Sequence, residues 1–365
     1  MADFIRISIR IFAYKYVYFM SLKIHHLQLD LGMKILADLN KVDRFDASWT
    51  SIEKREGTSL KQLKSIATVR SVGASTRIEG SKMTDEEVAV LIEKLSISKL
   101  EERDEQEVIG YFEALDLITE NYDGIQITEG QIKNLHKILM QHGEKDKWHK
   151  GKYKQVSNAV EANFVDGTKQ IVFKTANPGI ETEEAMRQLF DWYKSDKETI
   201  PLLKAAVFVY EFLSIHPFQD GNGRLSRLLG SLLLLKNGYS WIQYVSFEHE
   251  IEHRKSAYYR ILMQTQRERP GENITEWISF FVSCLIHIQE QLLLKLEESR
   301  IELPISTRDK SILYFIQNHA GCGSGEIAKK LDLALPTVKK SLSDLVEKGI
   351  ITKEGQGKAT GYFLI

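Results

Sequence analysis

The sequence predicts a mostly α-helical protein with one β-hairpin and a small C-terminal module of three helices and a second hairpin. Three observations carry that expectation. Proline is scarce at six residues, while helix-favouring Leu, Lys and Glu recur throughout. Apolar residues return at three- and four-residue spacing along most of the chain. Two apolar runs, 205–215 and 228–235, are each long enough for a buried helix, and they flank a short stretch dense in glycine and charge.

Composition narrows the classes. With 365 residues the chain has room for two or three domains and a sizeable core. A formal net charge of −1 excludes the global basic field of a dedicated nucleic-acid binder. Cys284 and Cys322 are the only cysteines, too few for a zinc site or a disulfide framework, so a reducing, cytoplasmic setting is expected. No apolar run is expected to reach the length of a membrane span, and no membrane partner is expected. In residues 1–19, Arg6, Arg10 and Lys15 interrupt any signal-peptide core. An edge strand, a membrane-surface segment and a start-site extension ahead of Met20 all fit that stretch.

Taken in order, residues 1–55 read as an N-terminal extension. Leu31, Met33, Leu36 and Leu39 predict a short helix, and Asp46-Ala47-Ser48-Trp49 a loop after it. Leu60, Leu63, Ile66 and Val69 predict a helix over 60–71, followed by a helix end at Ser75-Thr76-Arg77-Ile78-Glu79-Gly80. Three helices are expected within 84–145, the third opened by Thr128 and Gln131 as a capping box. His136 on that helix reads as structural or exposed rather than as a ligand. Residues 151–156 and 170–174 are extended runs around Asp166-Gly167 and predict a hairpin. Helices follow at 181–194, 250–266 and 274–301, with Pro304 as a boundary.

The remainder, 305–365, has helices at 309–318, 324–331 and 336–347, then strands around a loop at 353–360. That order is a winged helix-turn-helix pattern. Thr337, Lys339, Lys340 and Ser341 open the third helix, where base- and phosphate-contacting side chains sit in such modules, and Lys353 and Lys358 flank the wing tip. DNA contact through 305–365 is open, as are dimerisation and protein docking.

The chemistry concentrates in His216-Pro217-Phe218-Gln219-Asp220-Gly221-Asn222-Gly223-Arg224-Leu225-Ser226-Arg227. Pro217 ends the first apolar helix. A glycine turn feeding the next helix leaves backbone N–H groups unpaired and pointing one way, a ready seat for phosphate. Asp220 can hold Mg²⁺, which binds through one or two carboxylates plus phosphate oxygens, with Mn²⁺ as the alternative ion. Arg224 and Arg227 share a helix face and suit bidentate phosphate contacts. His216 can take a proton from an attacking hydroxyl. Asn222 can fix the turn through its amide, and Phe218 can anchor the loop from beneath.

This stretch resembles the Fic family, whose motif reads His-x-Phe-x-Asp/Glu-Gly-Asn-Gly-Arg-x-x-Arg; every fixed position is filled. The resemblance extends more loosely over about 60–300. It implies an all-α Fic core with a hairpin flap, divided as 1–55 extension, 56–100 helical region with an inhibitory motif, 101–302 catalytic core and 303–365 winged helix. It implies transfer of AMP from ATP to a hydroxyl of a target protein, with ATP held by Gly221, Asn222, Gly223, Arg224, Leu225, Ser226 and Arg227. The flap would clamp the target segment by strand addition. Ser75 to Gly80 is similar to the family's Ser/Thr-x-x-x-Glu-Gly/Asn inhibitory signature, which would pair Glu79 with Arg227 and deny that guanidinium to the γ-phosphate. An aromatic residue would face the adenine; Tyr258 is the candidate.

Two other functions stay open on the sequence. The same site could move another phosphate-linked group, or remove AMP with Glu79 positioning a water. Alternatively, the chain could be a DNA-binding regulator with a nucleotide-sensing core, although sensing needs no base and His216 is present. Whether the protein is a homodimer, with inhibition within or between chains, is not written in the sequence.

Overall fold

The computed structural model describes residues 20–21, 27–94, 100, 102–143, 147–163, 169–301, 306–355 and 360–364. The described chain is mainly helical and falls into two compact units, divided between Lys295 and Leu296.

In the first unit, β1 (Met20–Ser21) pairs antiparallel with β2 (Gln28–Leu29). Helix α1 (Met33–Arg55) then runs for 23 residues without a break. The loop expected at Asp46-Ala47-Ser48-Trp49 is therefore helical. Its polar residues favour turns in isolation, but the segment holds no Gly or Pro, and tertiary partners decide. Trp49 is buried and stacks near Phe45 with centroids 5.9 Å apart, and the Asp46 carboxylate accepts the Trp241 indole N–H at 3.1 Å.

Helix α2 (Gly57–Ile78) extends beyond the expected 60–71 and ends at Glu79, with the Glu79 N–H on the Thr76 carbonyl at 3.1 Å. The three helices expected within 84–145 are α3 (Asp85–Glu93), α4 (Arg103–Asn121) and α5 (Glu129–Leu139). Thr128 is the N-cap of α5, yet its side chain makes no capping bond, so the capping box expected there is not formed. A complete box closes α3 instead: Thr84 accepts from the Glu87 N–H at 3.3 Å, and Glu87 accepts from the Thr84 N–H at 2.8 Å.

The hairpin pairs β3 (Ala159–Asn163) with β4 (Lys169–Lys174), with an irregularity between Val160 and Glu161. Its first strand lies beyond the expected 151–156. Those residues are held by the loop at 216–219 instead: the Lys154 N–H donates to the Pro217 carbonyl at 2.8 Å, and Tyr153 bridges Phe218. The expected turn at Asp166-Gly167 lies outside the described residues.

Helix α6 (Ile180–Ser195) leads to the central pair, α7 (Pro201–Ile215) and α8 (Asn222–Lys236), both buried on nearly every face. Pro201 sits at the start of α7, where its missing N–H costs nothing. A 3-10 turn at Ser240–Tyr244 follows. The helix expected over 250–266 is two, α9 (Phe247–His253) and α10 (Lys255–Gln266), broken at Arg254. Last is α11 (Thr275–Ile301). Contrary to expectation, Thr275–Glu297 is long and apolar enough to cross a membrane by composition, at mean hydropathy 1.4. Just over half of it, 56%, is buried inside the protein, with Trp277, Phe281 and Leu285 inward, as in a core helix.

The second unit has α12 (Thr307–Asn318), α13 (Ser324–Lys330), α14 (Leu335–Glu347) and the antiparallel wing β5 (Ile351–Glu354) and β6 (Gly361–Leu364). Its core gathers Ile312, Ile316, Ile327, Val338, Leu342 and Ile351.

Candidate active site

The loop expected to hold the chemistry joins the C-terminus of α7 to the N-terminus of α8. His216 caps α7 in the left-handed region, at φ 53° and ψ 59°, with its N–H on the Phe212 carbonyl at 2.9 Å. Asn222 closes the loop: its Oδ1 accepts the Phe218 N–H at 2.9 Å and its Nδ2 donates to the Phe218 carbonyl at 2.7 Å. Gly221 sits at φ 78°, and a Cβ there would meet Met140 Sδ at 3.0 Å.

The first intrahelical bond of α8 runs from the Leu225 N–H to the Gly221 carbonyl at 2.9 Å. The N–H groups of Asn222, Gly223 and Arg224 precede it and have no helix partner, which makes an anion seat. A carboxylate lies beside that seat. Glu79 Oε1 lies 2.3 Å from where a Cβ on Gly223 would be, and accepts from Arg227 at 2.6 Å. The Arg227 guanidinium is also gripped by Ser75, through its Oγ at 2.8 Å and its carbonyl at 2.9 Å. Burial is the largest single effect and would lower the Arg227 pKa, but the Glu79 carboxylate together with Tyr258, Tyr111 and Tyr259 raises it. The structure therefore brings Glu79 to Arg227, the pair expected from the sequence, and adds Ser75 and Gly223 to it.

Arg224 is 2% exposed and faces Glu107 at 3.1 Å and Asp220 at 3.5 Å. Its Nε is buried without a partner among the described residues, a donor still available to an anion. Asp220 is 40% exposed and also meets Arg103 at 3.2 Å. Burial pushes its carboxyl up, but Arg224, the Gly221 N–H and Arg103 together hold it below the usual range, so it is ionised. Among the described residues no group of three or more His, Cys, Asp and Glu could form a metal cage. A lone ionised carboxylate beside a phosphate seat does fit a hard divalent cation that keeps phosphate and water as its other ligands.

The His216 Nδ1 faces the Leu213 carbonyl at 3.3 Å. A proton on Nδ1 is thus satisfied there, and Nε2 remains the basic nitrogen. Burial, then the neighbouring Lys154, push its pKa down to about 4, so the ring is neutral at pH 7.

Not every expected ligand residue reaches the open side of the loop. Leu225 is fully buried, and its N–H is committed to the helix. The Ser226 hydroxyl donates to the Gly223 carbonyl at 2.7 Å. Tyr258 is 3% exposed and packs among Tyr259, Trp277 and Phe280, behind Arg227.

Two residues that position the loop were missed as such. His136 is fully buried, stacks on Phe218 at 3.8 Å, meets the Asp220 carbonyl with Nε2 at 3.0 Å and accepts the Gly151 N–H on Nδ1 at 2.9 Å. Lys154, 2% exposed, donates to Thr175 at 2.8 Å, Asn158 at 2.9 Å and the Ile215 carbonyl at 3.2 Å, tying the base of the hairpin to the residue before His216. Burial lowers its pKa to about 8. The available signal was a histidine within an apolar stripe, four residues after Ile132 and three before Leu139, and a lysine inside an extended run.

In this helical core a histidine-led glycine turn starts a buried helix, an arrangement suited to holding phosphate. Residues 126–234 match the Fic/DOC family, and residues 305–352 match the winged helix-turn-helix DNA-binding family. The chain thus carries a Fic/DOC-like domain and, after it, a winged-helix module. It is 29% identical over 171 residues to the protein adenylyltransferase Fic of Nematostella vectensis, covering 45% of this chain and 37% of that one. It is 27% identical over 173 residues to the protein adenylyltransferase fic-1 of Caenorhabditis elegans, covering 44% and 30%. The alignments thus span well under half of those relatives. Its fold resembles a Fic family protein from Desulfovibrio desulfuricans at TM-score 0.61 and 23% identity, covering 92% of this chain and 96% of that one. It also resembles a Fic domain containing signaling protein from Bacteroides thetaiotaomicron at TM-score 0.58 and 25% identity, covering 71% and 97%.

Proposed function

We propose that the chain is a protein adenylyltransferase, moving AMP from ATP to a Ser, Thr or Tyr hydroxyl of a target protein and of itself, and restrained by Glu79. The observation that carries this reading is the Glu79 carboxylate on Arg227 over Gly223, an anion beside the seat that a nucleotide phosphate would need. The naming of the relatives above as adenylyltransferases supports it.

In this mechanism the free N–H groups of Asn222 and Gly223, with Arg224 and Arg227, hold the triphosphate. Asp220 and phosphate oxygens would hold Mg²⁺, which neutralises phosphate charge when bound. The hairpin presents the target hydroxyl, and His216 Nε2 takes its proton. The hydroxyl oxygen bonds to the α-phosphorus as the bond to pyrophosphate breaks. Alignment and charge neutralisation supply most of the rate, and the base contributes on the order of 10²–10⁴-fold. With Glu79 on Arg227, the γ-phosphate loses its clamp and the α-phosphorus sits out of line. The cytoplasm is the proposed compartment, supported by the free, buried thiols of Cys284 and Cys322.

The test uses ATP labelled at the α- or γ-phosphate, with intact-mass analysis. Label from the α position should reach the protein as a gain of one AMP less one water per site. Glu79→Gly should raise incorporation, and His216→Ala should abolish it while leaving the melting temperature near wild type. Label from the γ position alone would reject the activity, and an unchanged rate in Glu79→Gly would reject the restraint.

A second reading adds to the first. The exposed Lys339 and Lys340 open α14 of the winged helix, which supports DNA as a partner for the second unit. Ser341 does not contribute there: it is buried and accepts from Arg308 at 3.2 Å.

A further inference from the structure

A second cleft, of about 450 Å³, is lined by none of the residues 216–227. It lies among α2, α9 and α11. Arg70 comes from α2, His249, His253 and Glu250 from α9, Arg254 from the break after it, and His287 and Lys295 from α11.

Its chemistry is lopsided. Two guanidinium groups, an ammonium and three imidazoles line it against one carboxylate. That carboxylate, Glu250, is already engaged by the Arg254 guanidinium and by His287 Nδ1 at 2.7 Å. The Arg254 guanidinium also donates to the Ser283 hydroxyl at 3.1 Å. Arg70 is half-buried and has no ion-pair or hydrogen-bond partner among the described residues. His249 and His253 are four residues apart on α9, with Nε2 atoms 3.1 Å apart, and His249 Nδ1 is buried without a hydrogen bond. Two histidines at this spacing could chelate a cation, but a cation here would face Arg70 and Arg254. An anion would face mainly donors, since the one lining carboxylate, Glu250, is already engaged by Arg254 and His287, and a guanidinium with no partner is the group that a phosphate pairs with in bidentate fashion.

We propose that this cleft binds a small phosphorylated metabolite, with Arg70 as the phosphate clamp and His249, His253 and His287 as further donors. The volume lies within the range of small-molecule sites and exceeds what a bare phosphate fills. The site does not depend on the AMP-transfer reading.

Inorganic phosphate is the probe, and the full chain is the sample. The ring resonances of the histidines are assigned by single His→Gln substitutions, then followed at neutral pH as phosphate is added. His249, His253 and His287 should shift together with a dissociation constant of about 1 mM. In Arg70→Gln that response should weaken at least about tenfold, since a charge-assisted pair is worth more than 1.4 kcal/mol. Arg70→Lys should keep part of it, and any response of His216 should be unaltered in both. Should Arg70→Gln fail to fold, the wild type and Arg70→Lys still decide the matter. Silence of the three cleft histidines overturns the proposal, as does a response indifferent to Arg70→Gln or a shift confined to His136 and His216.

Discussion

His136 shows how a single buried ring can set a site it never enters. It stacks on Phe218 and holds the Asp220 carbonyl, so the loop is fixed from behind. Burial is the main cause of its pKa falling to about 4, against about 6.5 in an unfolded chain. The unfolded state therefore binds the extra proton between those values. The contribution of His136 to stability is full above pH 6.5, erodes as pH falls, and is gone near pH 4. A difference of that size is worth about 3 kcal/mol. Denaturant melts of the protein without nucleotide or divalent cation should show that slope, and His136→Gln should remove its share, leaving the share of His216, which is lowered alike. A variant retaining the full slope would assign the effect to other groups. The ring was visible in the sequence only as a histidine within an apolar stripe, because its partners arrive from residues 151 and 220.

At the scale of elements, what the sequence yields depends on where the deciding partners lie. The turn at 216–227 was legible because its proline, glycines and charges act locally. The helix run at 60–71 and the order of the winged helix were legible from spacing alone. Asp46-Ala47-Ser48-Trp49 was not, since local preference favours a turn and a distant aromatic cluster overrules it. The hairpin was found but shifted, because residues 151–156 pair with the loop rather than with β4. Trp49 makes this testable. Trp49→Ala should cost about 3–5 kcal/mol in chemical denaturation, the usual loss for a buried Trp. A cost under about 1 kcal/mol would mean that α1 stands without the cluster.

For the whole molecule, each of the two units carries its own charged feature. The first holds the glycine turn and the second the exposed Lys339 and Lys340. Neither is visible in a net charge of −1, which averages them. If the second unit meets duplex DNA, the full chain should bind at low salt. Replacing Lys339 and Lys340 by Ala together should then weaken binding and flatten the dependence of log K on log salt by about 2. Absence of binding at low salt would leave the winged helix to protein docking or dimerisation.

The Glu79 contact has one more consequence, for handling the protein. Arg227 is 2% exposed, so taking the carboxylate away strips a sequestered guanidinium of its counter-charge and bares a positive helix start. Ligand-free Glu79→Gly should thus melt earlier than wild type, with about 1–3 kcal/mol lost. It should also scavenge sulfate or phosphate from its buffer, so preparations differing only in salt would rank their activities differently.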